Sequence, residues 1–172
     1  MSDSEASWRV ENIGRALSFA SAVFERDVLR TVQQGEFAWV RPVQLALFRN
    51  LDLDGTPLTE LAARARITKQ SMQELVDKAE RFGVVVRRPD PDDRRVKIVA
   101  FTPAGLMMLE RFREGVAEAE RRMAEALGDD VMRDLKTRLQ AYVEADDLSG
   151  TGPNAQASRS SRAIPASGRL KA

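Results

Sequence analysis

The chain of 172 residues contains neither cysteine nor histidine. Without cysteine there are no disulfides, no thiolate nucleophile, no Cys/His zinc site and no thiol redox sensor. Without histidine, serine triads and imidazole general bases are excluded as well. Long hydrophobic runs are missing too. Stretches such as Leu45-Ala46-Leu47-Phe48 and Val84-Val85-Val86 are far too short to span a bilayer. The start, Met1-Ser2-Asp3-Ser4-Glu5, is acidic and lacks the pattern of a signal peptide, so the reading is of a cytoplasmic protein with no membrane partner.

What is present suffices for a core. Hydrophobic residues make up 43% and charged residues 31%, and the length suits one domain with some extra chain. The net charge of +1 hides a pattern. Residues 41–101 carry 12 basic and 9 acidic side chains, and residues 147–172 carry four and one. Residues 1–40 and 102–146 are acidic in balance. A basic middle hints at a polyanionic partner.

Apolar residues spaced by three and four mark a long amphipathic helix over residues 5–33, with Asp3 or Ser4 as its cap and Gly35 as its end. Pro42 opens a second helix that buries Leu45, Phe48 and Leu51. After the turn Asp52-Leu53-Asp54-Gly55, two short helices follow. One spans Thr59 to Ala65. Arg66-Ile67 connects it tightly to another that runs from Lys69 to about Phe82, capped by Thr68 and stopped by Gly83. This is a helix-turn-helix pattern.

Two extended segments, Val84 to Arg88 and Val96 to Phe101, flank a Pro/Asp loop and read as a hairpin. On the second strand Val96, Ile98 and Ala100 alternate with Lys97, Val99 and Phe101. Thr102-Pro103 then caps a long helix whose apolar face runs from Leu106 to Leu127, and Gly128 breaks it. A last helix opens at Asp129 with Val131, Leu135, Leu139, Tyr142 and Val143 inward. The fold class is therefore mainly α with a small β-hairpin wing: a winged helix-turn-helix between long terminal helices. One domain covers residues 1–146, with the lobe at about 41–101, dimerisation helices at about 5–33 and 103–146, and a disordered basic tail over 147–172.

The segment Arg87 to Gly105 resembles the wing of the MarR family of bacterial transcriptional regulators. Asp90-Pro91, Asp93-x-Arg95 and Thr102-x-x-Gly105 match that family's pattern, with Phe101 where leucine is usual. Thr68 to Asp77 is similar to the recognition helix of some members. The resemblance covers roughly residues 10–146. It implies a homodimer, a palindromic operator in double-stranded DNA and, often, release by a small ligand. The missing cysteine and histidine exclude its thiol- and metal-sensing branches.

Chemistry supports the same sites. Lys69, Gln70, Ser71 and Gln73 lie early on the recognition helix. Gln pairs with adenine in a major groove, and Lys and Ser reach phosphate or guanine edges. Arg94 and Arg95 at the wing suit the negative potential of a narrow minor groove. Asp93 is expected to orient the Arg95 guanidinium through a fork-like pair. Phe19, Trp39, Phe48 and Arg49 are the candidate contacts for a small aromatic or anionic effector. Asp90, Asp92 and Asp93 do not have the spacing of a calcium loop, so no metal or other cofactor is expected. An enzyme would have to use carboxylates such as Glu110 and Glu114, around which nothing assembles a pocket. The remaining alternative is a winged helix used only for protein contact.

Overall fold

The computed structural model describes residues 8–91 and 93–148. The order of elements is α1 (Ile13–Val32), 3-10 turns at Gly35–Phe37 and Pro42–Gln44, α2 (Leu45–Phe48), β1 (Thr56–Pro57), α3 (Leu58–Arg64), α4 (Lys69–Arg81), β2 (Val85–Pro89), β3 (Lys97–Phe101), α5 (Pro103–Leu127) and α6 (Asp129–Leu148). By contacts the chain divides at Gly128 into two compact units, α6 opening the second.

α1 starts later than the apolar spacing predicts. Asn12 is its cap, with Oδ1 accepting from the Arg15 N–H at 2.9 Å. The expected caps Asp3 and Ser4 lie outside the described residues, as does the tail beyond residue 148. Pro42 does open the next segment, but as a 3-10 turn leading into a single α-turn. Leu45, Phe48 and Leu51 are buried there as expected.

Thr68 caps α4 by accepting from the Ser71 N–H at 3.0 Å, and Thr102 caps α5 by accepting from the Gly105 N–H at 3.1 Å. The core runs through Val32, Leu47, Leu61, Met72, Val76, Val99 and Met108, joining α1, the helix-turn-helix, the sheet and α5. Gly115 lets α1 and α5 meet backbone to backbone, for a Cβ there would lie 2.7 Å from the Val28 carbonyl oxygen.

The sheet has three antiparallel strands in the order β1-β3-β2. β1 was not legible in the sequence, being two residues long and containing a proline. Nor does β3 bury one face alone. Ile98, Val99 and Ala100 are all buried. The turn before β1 explains this: Gly55 packs so close that a Cβ on it would meet Ile98 Cγ2 at 2.7 Å and Ala100 Cβ at 3.4 Å.

α6 carries the ion pairs Arg133–Asp130 (3.1 Å) and Arg138–Asp134 (2.6 Å). Its apolar residues are not inward as the spacing predicts. Val131, Leu139, Tyr142 and Val143 are exposed in the single protomer. The apolar period is there, with Leu135 half-buried, but periodicity marks which side chains share a face and not what covers that face.

Candidate nucleic-acid interface

α3 and α4 form the helix-turn-helix, and the hairpin β2–β3 follows it. Lys69, Gln70 and Ser71 are exposed on the first turn of α4, while Met72, Leu75, Val76 and Ala79 are buried beneath them. The first two residues therefore offer free donors and acceptors. The Ser71 hydroxyl lies 2.9 Å from Thr68 Oγ1, so the cap already engages it. Gln73 is only half-exposed, and its Nε2 donates to Asp77 Oδ1 at 3.2 Å. Of the four residues read from sequence, Lys69 and Gln70 are the least engaged by the protein itself.

The wing loop is built by carboxylates acting on backbone. Asp90 Oδ1 accepts from the Asp93 N–H at 3.1 Å, and Asp93 Oδ1 accepts from the Arg95 N–H at 3.0 Å. The Val96 N–H donates to the Asp93 carbonyl at 2.9 Å. The expected fork between Asp93 and the Arg95 guanidinium is not what the structure holds. A carboxylate two residues ahead of a turn N–H caps the turn more readily than it reaches a flexible side chain. Arg94 and Arg95 are left exposed at the tip.

Sequence reasoning missed Arg87. It sits on β2 with its side chain largely buried, and it pairs with both Asp77 and Glu80 of α4. Its own N–H donates to Glu80 Oε1 at 3.1 Å. Its Nε, buried, has no hydrogen-bond partner. The wing and the recognition helix are thereby fixed to each other. The signal was present as two acids one turn apart on α4 facing an arginine pair, but Arg87 and Arg88 read equally well as exposed strand residues. Arg88 instead donates to the Asp54 carbonyl at 2.6 Å.

Arg64, at the end of α3, is held by Glu60 (2.6 Å), Asp52 (2.8 Å) and the Asn50 carbonyl (3.1 Å). Burial pulls its guanidinium down, yet the bonds and charges of Glu60 and Asp52 outweigh this and hold it above its ordinary value.

The four candidate effector residues are not brought to one cavity. Phe48 is buried among Trp39, Phe101 and Phe112. Trp39 stacks on Phe82 at 4.3 Å between centroids. Arg49 is paired with Glu25 at 2.7 Å. Phe19 is exposed under Arg15 and lines an open cleft with Val10, Ile13 and Ala16. A separate groove of about 270 Å³ lies between α1 and α5, walled by Val23, Phe24, Met123 and Leu127 with Asp27 and Arg122 at its edge. Among the described residues no group of His, Cys, Asp or Glu is arranged to hold a metal ion, and no helix is long and apolar enough to cross a membrane.

A family model described as MarR family matches residues 40–96, the helix-turn-helix and the start of the wing. The chain is 30% identical to the transcriptional repressor CouR, in a structure with a 23-mer DNA duplex. The match covers 80% of this chain and 96% of that one, with a TM-score of 0.62. The chain belongs to the MarR family. CouR from Rhodococcus jostii RHA1 bound to p-coumaroyl-CoA is matched at 25% identity, over 77% of this chain and 92% of that one, with a TM-score of 0.61. The crystal structure of MarR shares the fold at 18% identity, over 76% and 93% of the two chains, with a TM-score of 0.65. No curated protein gives a significant match. Membership of this family makes the chain a winged-helix transcriptional regulator and not an enzyme.

Proposed function

We propose that this chain is a cytoplasmic repressor that binds a palindromic operator as a homodimer and is released by a small molecule. The observation that carries the DNA reading is the shared lobe of α4 and the wing. It displays Lys69, Gln70, Arg94 and Arg95 to solvent, while Arg87 locks the two elements in one geometry. α4 enters the major groove, where Gln70 reads a base edge and Lys69 contacts phosphate. The wing arginines take the adjacent minor groove. That CouR is a repressor with structures on DNA and on p-coumaroyl-CoA supports the same two partners here.

Dimerisation is supported by the apolar side chains that a single copy leaves exposed. Trp8, Val10, Ile13, Leu17 and Phe19 lie along the start of the chain and α1, and Val131, Leu139, Tyr142 and Val143 along α6. Such surface is normally buried against a partner, and an obligate interface would bury more than about 2,000 Å². The effector takes the groove between α1 and α5. Its wall is apolar, and Arg122 already lies beside Glu118 and Asp27, so an aromatic body is the part best matched.

A mobility shift with the DNA upstream of the protein's own gene tests the reading. Retarded complexes at nanomolar to micromolar protein, competed by the same duplex and not by random DNA, are expected. Absence of any sequence preference in a selection from random duplexes would leave the protein-contact module as the better account. Sedimentation showing a folded monomer at micromolar concentration would refute the dimer.

A further inference from the structure

The two helices of the DNA-binding motif end in the same way. At the end of α3 the Ile67 N–H donates to the Ala62 carbonyl and the Arg66 N–H to the Ala63 carbonyl, both at 3.1 Å. At the end of α4 the Val84 N–H donates to the Ala79 carbonyl at 3.1 Å and the Gly83 N–H to the Glu80 carbonyl at 2.9 Å. This paired pattern requires a left-handed residue just beyond the helix, a position where glycine is usual. α4 meets the requirement with Gly83, at φ +71°. α3 meets it with Arg66, at φ +53°, the one non-glycine residue with positive φ among the described residues.

An arginine in this conformation destabilises the turn relative to glycine, because its Cβ crowds the backbone. Among the described residues no side-chain contact of Arg66 offsets that cost. The Arg66 side chain is exposed, and no acidic side chain among the described residues pairs with it. Neighbouring arginines behave differently: Arg64 and Arg87 are each clasped by two carboxylates. Arg66 also stands three residues ahead of Lys69, in the turn that leads into the recognition helix.

We propose that Arg66 is a phosphate-binding residue, whose guanidinium contacts the DNA backbone beside the groove that α4 enters. The inference rests on the DNA reading above and adds a contact from the turn itself. Arg gives two parallel donors to a phosphate, which fixes register without reading sequence. The left-handed backbone is kept at a cost in stability because glycine would supply no charge.

The test compares Arg66→Gly, Arg66→Asn and Arg66→Lys with the parent protein by thermal melting and by titration of two duplexes, one random in sequence and one selected for tight binding, over a range of salt. Arg66→Gly is expected to melt roughly 2–4 °C higher. It should bind both duplexes about 3- to 30-fold more weakly at physiological salt, with the salt slope smaller by about one for each protomer. Asparagine tolerates the left-handed region, so Arg66→Asn should lose the same affinity without a fall in melting temperature. Arg66→Lys should keep the salt slope.

Parent binding with unchanged affinity and slope in Arg66→Gly and Arg66→Asn would overturn the assignment and leave the DNA reading standing. A parent protein that binds neither duplex at low salt would overturn both. A loss of affinity in Arg66→Gly alone, with Arg66→Asn binding normally, would show a stiff turn and not a phosphate contact, and would also overturn it.

Discussion

The guanidinium of Arg87 on β2 is paired with the carboxylate of Asp77 on α4, and Asp77 in turn accepts from Gln73 one turn earlier. A strand of the wing thus reaches the reading face of the recognition helix through one carboxylate. In the proposed complex wing and helix enter adjacent grooves together, which makes their relative position part of the binding site.

Arg87→Ala should therefore be felt twice. It removes charge-assisted bonds to Asp77 and Glu80 from a mostly buried side chain, which costs about 1–3 kcal/mol. The two acids are half-exposed and can regain water, so the loss should not approach that of a fully buried pair. Urea unfolding measures the first effect and operator titration the second. Arg87→Lys keeps the charge without the fork and should fall between. Unchanged stability in Arg87→Ala would show that the pairs are ornamental.

Much of this was legible because local chemistry and fold agree. Thr68 and Thr102 cap where they should, Gly83 ends α4, and the Asp-Pro loop separates two strands. What was not legible depends on chain segments that meet only after folding. β1 exists because β3 supplies its partner, at Thr56–Val99 and Pro57–Ile98. Arg87 is defined by α4, and the two-sided burial of β3 by Gly55. Periodicity located the apolar stripe of α6 but could not say what covers it. The grouping of Phe19 with Trp39, Phe48 and Arg49 failed similarly, since residue type carries no information on which cavity a side chain lines.

Gly115→Ala should loosen the packing of α1 on α5. The added Cβ would sit 2.7 Å from the Val28 carbonyl oxygen and 3.3 Å from Thr31 Cβ, and the first of these is backbone that cannot swing aside. Overpacking of this kind costs about 1–3 kcal/mol, which matches or exceeds the gain in helix propensity of about 1 kcal/mol. Thermal melting decides it: a variant as stable as the parent would mean that the helices separate freely.

Asp93 should act through the wing backbone and not through the charge of Arg95. Asp93→Asn keeps an acceptor for the Arg95 N–H and should retain most of the DNA affinity, whereas Asp93→Ala frees the turn and should weaken binding several-fold. Arg95→Ala should change stability by less than about 0.5 kcal/mol while lowering affinity on every operator variant and reducing the salt slope by about one. Equal losses in Asp93→Asn and Asp93→Ala would restore the pairing of carboxylate and guanidinium.

Between pH 6 and 8 the fold should be insensitive to pH, since there is no histidine to titrate. On the acid side, hydrogen bonds from Arg121 and then Arg122 hold the Glu118 carboxyl below its usual range. A depressed carboxylate adds stability above its unfolded pKa, and that contribution is lost only as pH falls through the lower folded value. Unfolding measured from pH 8 down to 3 should be flat first and decline only in the carboxylate range. A step near pH 6.5 would contradict this.

Gln70 and Gln73 should not contribute alike to sequence choice. Gln70 is exposed and has both ends of its amide free for a base edge, where a good bidentate contact discriminates by about 1–3 kcal/mol. Gln73 already gives its Nε2 to Asp77, which is itself bound to Arg87, so using it on a base would mean breaking that chain. Selection from random duplexes should therefore find Gln70→Ala relaxed at one position in each half-site and Gln73→Ala close to the parental consensus. Lys69→Ala should weaken all sequences alike, as the loss of a phosphate contact does. If Gln73→Ala relaxes the consensus and Gln70→Ala does not, the amide of Gln73 must leave Asp77 on binding, and Arg87 would then be the residue that lets it go.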